Sequence, residues 1–170
     1  TAALQLSCEK NVSSDFFLAD LHAIIKQTNP NEIKVSVNEV ALAWLSSGLD
    51  PEESFFYRQS NIPEITELAW ILSCVTAKGL INRSHAYKAA VQLNHDHTKD
   101  EDKGISMGLF SYPVLMAADI LMFNSSHVPV GNDQLQHLEI TRDIAEKFNH
   151  QYGNTFVIPE AIINKDGKLL

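Results

Sequence analysis

Residues 128–137 read VPVGNDQLQH, a short valine-rich strand that ends at Gly131 and continues directly into a helix. The helix predicted after the strand, residues 132–150, is amphipathic. Its inner face is formed by Leu138, Ile144, Ala145 and Phe148. The helix predicted before the strand, residues 114–123, is almost wholly apolar and begins at Tyr112-Pro113. A strand between two helices is the repeating unit of an α/β fold.

Other short apolar runs have the composition of buried strands: residues 16–19, 55–57 and 156–158. A helix follows the first of them, with Asn31 as its predicted N-cap and Gly48 as its stop. Strands that alternate with helical crossovers predict an open α/β fold, a Rossmann-like doubly wound parallel sheet with helices on both faces. Ligands of such folds bind beyond the carboxyl ends of the strands, here residues 20–22 and 131–134.

Residues 61–106 are expected to form a helical insertion. Its first helix begins at Pro63, ends at Gly79 and is apolar on two faces. One face contains Ile65, Leu68, Leu72 and Val75, and the other contains Trp70, Ile71 and Cys74. A helix with two apolar faces is buried either under another layer or in a subunit contact, and we favour the subunit contact. Residues 91–106 are polar and lack periodicity, which predicts a surface loop.

The composition argues against several classes of protein. A chain of 170 residues can bury one hydrophobic core, which predicts a single domain. The net charge of −8 argues against a dedicated nucleic-acid-binding module, which normally carries a basic surface. No apolar run is long enough to span a membrane, and the first residues lack a signal-peptide pattern. Cys8 and Cys74 form no metal or redox spacing, so we predict reduced thiols in a cytoplasmic protein.

Asp119 is a single carboxylate within the apolar segment LMAADILMF. A carboxylate buried there without a partner would cost several kcal/mol, roughly 2–7 for a polar group and more for a charge. It therefore faces solvent, pairs with an internal donor, or accepts a hydrogen bond from a ligand N–H in an apolar pocket. All three alternatives remain open at this point.

Further polar residues follow the predicted strands. Gly131 lets a ligand approach the backbone, and Asp133 and Gln134 could hydrogen-bond ribose hydroxyls and an amino group. Ordinary helix capping is the simpler interpretation of the same residues. His22, after the first strand, could line a site or be a buried imidazole with its own internal partner.

The segment before residue 107 contains two weaker patterns. Arg83, His85, Tyr87 and Lys88 form a basic cluster that could attract phosphates, although a solvated helix face is the simpler interpretation. His95 and His97 resemble a metal-ligand pair, but their charged segment offers no further ligands, so no metal site is predicted. No Ser–His–Asp set or glycine-rich phosphate loop occurs, and no catalytic side chain is assigned.

From Phe16 to Pro159 the chain resembles the tryptophanyl-tRNA synthetase family. The resemblance is carried by FFLADLHAI, RQSNIPEITELAWIL, GLFSYPVLMAADILMF and VPVGNDQLQHLEITRDIAEKFN. Tyrosyl-tRNA synthetases share the general plan and an Asp-Gln pair but lack YPVLMAADIL. The stretch AKGLINRSHAYKA resembles a bacterial subgroup. It reads RSHAYK where the commonest form has RMTQFK, which leaves a phosphate role for Lys88 unassigned.

The resemblance implies roles for particular residues. Asp119 would accept the indole N–H of tryptophan, and the ring would pack on Met116, Val128 and Val130. Tyr112 and Gln134 would hold the amino and carboxylate end, and His22 would line the same pocket. Gly131 and Asp133 would contact the ATP ribose, with Gln134 near both ligands.

The resemblance also implies an activity. The tryptophan carboxylate would attack the α-phosphate of ATP, which enters with Mg²⁺, and the activated amino acid would pass to tRNA(Trp). Such a reaction depends on positioning and charge stabilisation, so it needs no nucleophilic side chain. The family's dimeric habit implies a homodimer.

The family's HIGH-like and KMSKS-like ATP signatures are both absent from the chain, as is the helical anticodon-binding domain. We therefore interpret residues 1–170 as the central part of the catalytic domain and expect the chain alone to form no adenylate. Two alternatives remain open: a tyrosyl-tRNA synthetase, and a catalytically inactive relative that serves as a binding or regulatory module.

Overall fold

The structure is a computed structural model that describes residues 13–163. Within this range the chain forms two pairs of parallel strands. The chain divides into two compact units, one up to Pro63 and the other from Glu64 onward. Each unit contains one strand pair. Parallel strands connected through helices confirm the predicted α/β class. Cys8 lies outside the described residues.

The first unit is a parallel strand pair with its connecting helices. Its elements are β1 (Asp15–Leu18), α1 (Asp20–Ala23), α2 (Pro30–Ser46), β2 (Phe55–Arg58) and a 3-10 turn (Gln59–Asn61). The register runs from Asp15 opposite Phe55 to Leu18 opposite Arg58. Both strands predicted in this part of the sequence are therefore confirmed.

Trp44 attaches α2 to the strand pair. Its ring meets the edge of Phe16 at 5.5 Å between centroids and stacks on Phe56 at 5.9 Å. Aromatic pairs at this spacing add to the stabilisation from buried area. The stop predicted at Gly48 is also confirmed, because Gly48 has a φ of +98°, a conformation that glycine adopts without a steric cost.

The start of α2 differs from the prediction. Asn29, not Asn31, is the N-cap, and its side chain accepts a hydrogen bond from the Asn31 backbone N–H at 3.0 Å. Pro30 occupies the first helical position, where its missing N–H costs nothing and its φ is already helical. The prediction of Asn31 was wrong because the helix begins at this proline.

The second unit consists mainly of helices. Its elements are α3 (Glu64–Val75), α4 (Lys78–Ile81), α5 (His85–Asp96), α6 (Met107–Leu121), β3 (His127–Pro129), a 3-10 turn (Asn132–Gln134), α7 (Leu135–Tyr152) and β4 (Glu160–Ile162). β3 and β4 pair in parallel, from His127 opposite Glu160 to Pro129 opposite Ile162.

The core of this unit lies where α3, α6 and α7 contact one another. Its fully buried side chains include Ile65, Leu72, Leu121, Leu138 and Ile144. The second apolar face of α3 is exposed, with Trp70 73% and Ile71 43% accessible. None of the helices within residues 13–163 is long and apolar enough to cross a membrane.

The surface loop predicted for residues 91–106 is partly helical, because α5 continues to Asp96. Asn94 accounts for the difference. Its side-chain amide is buried and donates hydrogen bonds to the backbone carbonyls of Glu101 and Lys103 at 2.8 and 2.9 Å. The connection after α5 therefore folds back onto the helix, and these side-chain hydrogen bonds stabilise a segment that has no apolar periodicity.

The apolar helix α6 begins at Met107, five residues before the predicted start at Tyr112. Ser106 caps it by accepting the backbone N–H of Leu109 at 3.1 Å. Pro113 consequently lies inside the helix, where it is fully buried. Pro113 cannot donate a backbone hydrogen bond, and burial in the core offsets that loss.

The strand predicted at residues 156–158 was also wrong, since β4 is Glu160–Ile162. The Asn149 side chain forms two hydrogen bonds with the Phe156 backbone. It accepts the Phe156 N–H at 2.9 Å and donates to the Phe156 carbonyl at 2.8 Å. The Val157 N–H is bonded to the Asn124 side chain at 3.2 Å. Backbone groups that are bonded to side chains cannot also pair with a strand.

Candidate functional site

One face of α6 carries the three predicted binding residues of that helix. Tyr112, Met116 and Asp119 follow one another at spacings of four and three residues, which places them on the same side of a helix. Asp119 is buried, with 3% of its surface accessible. Its burial rules out the solvent-facing interpretation of this carboxylate.

An apolar cluster forms where α6, β3 and α7 meet. Ile120, Val130 and Leu138 are its buried members, and Met116, Val128 and Leu135 pack against it. The structure therefore brings together all three side chains, Met116, Val128 and Val130, that were predicted to contact an aromatic ring. Sequence reasoning placed Leu138 on the inner face of its helix, as observed, but did not connect it with these residues.

The polar turn between β3 and α7 contains Gly131, Asp133 and Gln134. The Gln134 backbone N–H donates to the Gly131 carbonyl at 2.9 Å, and the Gln134 side-chain amide donates to Asp133 Oδ2 at 2.9 Å. Gln134 stands at the N-cap of α7 without a side-chain cap hydrogen bond. The Gln134 side chain therefore does not cap α7; it binds Asp133 instead.

Tyr112 is held by a histidine that sequence reasoning missed. Its hydroxyl lies 2.8 Å from His137 Nε2, and the two rings meet edge to face at 5.2 Å between centroids. His137 is buried on α7, and burial raises the pKa of Tyr112 above its ordinary value. The available signal was helical spacing, because His137 precedes Ile144 by seven residues and shares its inward face.

His22 lies on α1 in the first unit and is partly buried. Its neighbour Asp20 connects the ends of the two strands. Asp20 accepts the Ser60 backbone N–H at 3.0 Å and the Ser60 hydroxyl at 2.6 Å, and Arg58 Nε lies 3.3 Å from the same carboxylate. The polar groups at this strand end thus stabilise the unit itself, and the binding role of His22 remains a prediction.

The predicted basic cluster is attached to α7 by Gln136. The Gln136 side chain accepts the His85 backbone N–H at 2.7 Å and donates to the Arg83 carbonyl at 3.0 Å. Tyr87 donates its hydroxyl to Asp102 at 3.0 Å. These contacts hold the start of α5 in place, and a phosphate role for Lys88 remains a prediction.

His95 pairs with Glu101 at 3.1 Å. In the part of the chain that the structure describes, no three His, Cys, Asp or Glu side chains converge as metal ligands.

Known proteins with similar sequences and folds share one activity class. The family model described as tRNA synthetases class I (W and Y) matches residues 3–170. The tryptophan–tRNA ligase of Bordetella pertussis is 58% identical over 165 residues, which are 96% of this chain and 37% of that protein. The chain thus spans little more than a third of that relative's length.

Solved structures show the same likeness in three dimensions. Tryptophanyl-tRNA synthetase of Campylobacter jejuni, complexed with ADP and tryptophan, superimposes with a TM-score of 0.84 at 44% identity, covering 98% of this chain and 50% of that one. Tyrosyl-tRNA synthetase of Archaeoglobus fulgidus, complexed with L-tyrosine, has a TM-score of 0.66 at 17% identity, covering 89% of this chain and 44% of that one. The second likeness shows the fold alone. The chain belongs to the class I tRNA synthetase family that comprises the tryptophan and tyrosine enzymes.

Proposed function

We propose that this chain is part of a tryptophan–tRNA ligase, which activates L-tryptophan with ATP and transfers it to tRNA(Trp). The observation that carries the proposal is the placement of Asp119. It is a buried carboxylate on the helix that supplies Met116 and Ile120 to the apolar cluster. An apolar site with one buried acceptor suits an indole ring, which is apolar except for its single N–H.

The tryptophan side of the site would use residues of α6 and β3. Met116, Val128 and Val130 would contact the ring, and Asp119 would accept the indole N–H. A phenylalanine ring has no donor, so its binding would leave the carboxylate without that hydrogen bond. Tyr112 and Gln134 would hold the amino and carboxylate end, and a tryptophan-binding role for His22 remains a separate proposal.

The ATP side would use the turn before α7. Gly131 and Asp133 would contact the ribose, and Gln134 would lie near both ligands. Support comes from the exposure of the Asp133 carboxylate and from its position ahead of a helix of 18 residues, whose N-terminus favours negatively charged groups such as phosphates. Mg²⁺ would enter bound to the ATP phosphates, since it usually binds through substrate phosphates and water.

In the proposed reaction a carboxylate oxygen of tryptophan attacks the α-phosphorus of ATP. The bond between that phosphorus and the bridging oxygen breaks, pyrophosphate leaves and tryptophanyl-adenylate forms. A hydroxyl at the 3′ end of tRNA(Trp) then attacks the mixed anhydride and AMP leaves. The protein's contribution would be positioning and charge stabilisation. A cytoplasmic location follows from this proposal, because tRNA is charged where it is used.

We propose in addition that residues 1–170 are the central part of a Rossmann-like catalytic domain, with residues 61–106 as a helical insertion. The greater length of the matched relatives supports this organisation. The exposed face of α3, with Trp70, Ile71 and Cys74, supports a homodimer, because exposed apolar patches commonly mark protein contacts.

The test is amino-acid-dependent exchange of pyrophosphate into ATP, measured with the full natural protein and either L-tryptophan or L-tyrosine. We expect exchange with tryptophan and charging of tRNA(Trp) in a second assay. Faster exchange with tyrosine would assign the protein to the tyrosine branch of the family. No exchange with either amino acid would favour the inactive binding module.

A further inference from the structure

A polar pair, partly buried at Tyr112 and buried at His137, joins α6 and α7 beside the proposed amino-acid site. Tyr112 and His137 are 25 residues apart in sequence, yet the hydroxyl oxygen and Nε2 lie at 2.8 Å, a short hydrogen bond. His137 is 7% exposed, so water competes little for this contact. The edge-to-face packing of the two rings leaves the phenol little freedom to rotate away.

The direction of this hydrogen bond decides what Tyr112 can offer a ligand. If the tyrosine O–H donates to Nε2, the phenolic oxygen presents lone pairs and acts as an acceptor. If the imidazole donates instead, the tyrosine hydroxyl proton points elsewhere and acts as a donor. The α-ammonium of an amino acid has three N–H donors and needs acceptors, whereas its carboxylate needs donors.

We infer that His137 is a positioning residue: its neutral imidazole accepts the hydrogen bond of the Tyr112 hydroxyl at Nε2 and so turns the phenolic oxygen toward the substrate α-ammonium. This inference rests on the proposed function. Asp119 and the apolar cluster would select the ring, and the His137–Tyr112 pair would select the amino group. His137 itself touches no substrate and acts only through Tyr112.

The test uses the full natural protein and the variants His137→Phe and His137→Gln. Phenylalanine fills the same space without a ring nitrogen, whereas the glutamine carbonyl can again accept from the Tyr112 hydroxyl. We expect His137→Phe to raise the KM for tryptophan about five- to tenfold, the effect of losing one hydrogen bond. The KM for ATP should stay unchanged, and His137→Gln should restore most of the loss.

Two analogues of tryptophan separate positioning from a general structural effect. Tryptamine keeps the ammonium and lacks the carboxylate, and indole-3-propionate keeps the carboxylate and lacks the ammonium. Both analogues are tested as competitive inhibitors of the exchange. In His137→Phe we expect the inhibition constant of tryptamine to rise about five- to tenfold, whereas that of indole-3-propionate should not change. Tyr152→Phe removes an exposed hydroxyl at the end of α7 and should change neither inhibition constant.

The outcomes separate this inference from the proposed function. Absence of tryptophan-dependent exchange in the unmodified protein would overturn the proposed function and this inference together. Three other outcomes would overturn the inference and leave the proposed function intact. In each of them exchange occurs, and His137→Phe weakens inhibition by both analogues equally, by neither, or by indole-3-propionate alone. If His137→Phe does not fold, His137→Leu, which also lacks a ring nitrogen and keeps Tyr112, must show the same split between the analogues.

Discussion

Replacing Asp119 with asparagine should weaken tryptophan binding while preserving the volume of α6. The carboxylate is 3% exposed, so a hydrogen bond to it is barely screened by water. Hydrogen bonds to a charged group contribute about 1.5–3 kcal/mol, which corresponds to a rise in KM for tryptophan of about 10- to 150-fold. Asparagine keeps one acceptor oxygen, so we expect a value in the lower half of that range.

The assay is tryptophan-dependent pyrophosphate exchange, with calorimetric binding of L-tryptophan as a second measurement. Asp143→Asn is the matched control, because it makes the same chemical change at an exposed position of α7. The KM for ATP should be unchanged in both variants. A rise below about threefold for Asp119→Asn would refute the assignment of this carboxylate as the indole acceptor.

Three further predictions concern the fold and the polar pair. Leu72→Ala should lower the free energy of unfolding by about 2–5 kcal/mol because Leu72 is fully buried. The control Leu93→Ala, at an exposed site, should lower it by about 0.5 kcal/mol or less. Equal losses for the two variants in urea denaturation would contradict the burial argument. Asn29→Ala should lower the free energy of unfolding by about 1 kcal/mol through loss of the α2 cap, whereas Asn31→Ala should not lower it by this amount. A larger loss of stability in Asn31→Ala would reverse the cap assignment. Burial raises the pKa of Tyr112 above 10.0, so stability from its neutral phenol is present below the unfolded pKa and is lost as pH rises through the folded pKa. Ultraviolet titration with Tyr112→Phe as reference should show this late-ionising tyrosine, and its absence would contradict burial of the ring.

Elements defined by nearest neighbours in sequence were predictable. β1, β2 and α3 followed from apolar periodicity, and the end of α2 followed from Gly48. The starts of α2 and α6 were wrong because the local caps Asn29 and Ser106 were missed. The segment after α5 and the last strand were wrong because their backbone binds side chains on a neighbouring helix. Asn94 ties the connection after α5 to the helix, and Asn149 occupies the backbone where a strand was expected. Periodicity contains no information about such bonds, because the partners are decided by where the chain returns.

The candidate site divides in the same way. The sequence left three possible surroundings for the Asp119 carboxylate: solvent, an internal hydrogen-bond donor or a ligand. A carboxylate in an apolar helix has few other options, because burial without a partner is costly. The grouping of Met116 with Val128 and Val130 was implied by resemblance and is visible once α6 packs beside β3.

By itself the sequence determined the α/β class and the apolar helix with its carboxylate, because periodicity and composition act over short distances along the chain. Only the tertiary structure decided that Tyr112 meets His137, since their side chains approach to 2.8 Å when α6 and α7 pack together. A hydrogen bond between helices needs both atoms within about 3 Å at a defined angle, and that distance is set by packing of the core.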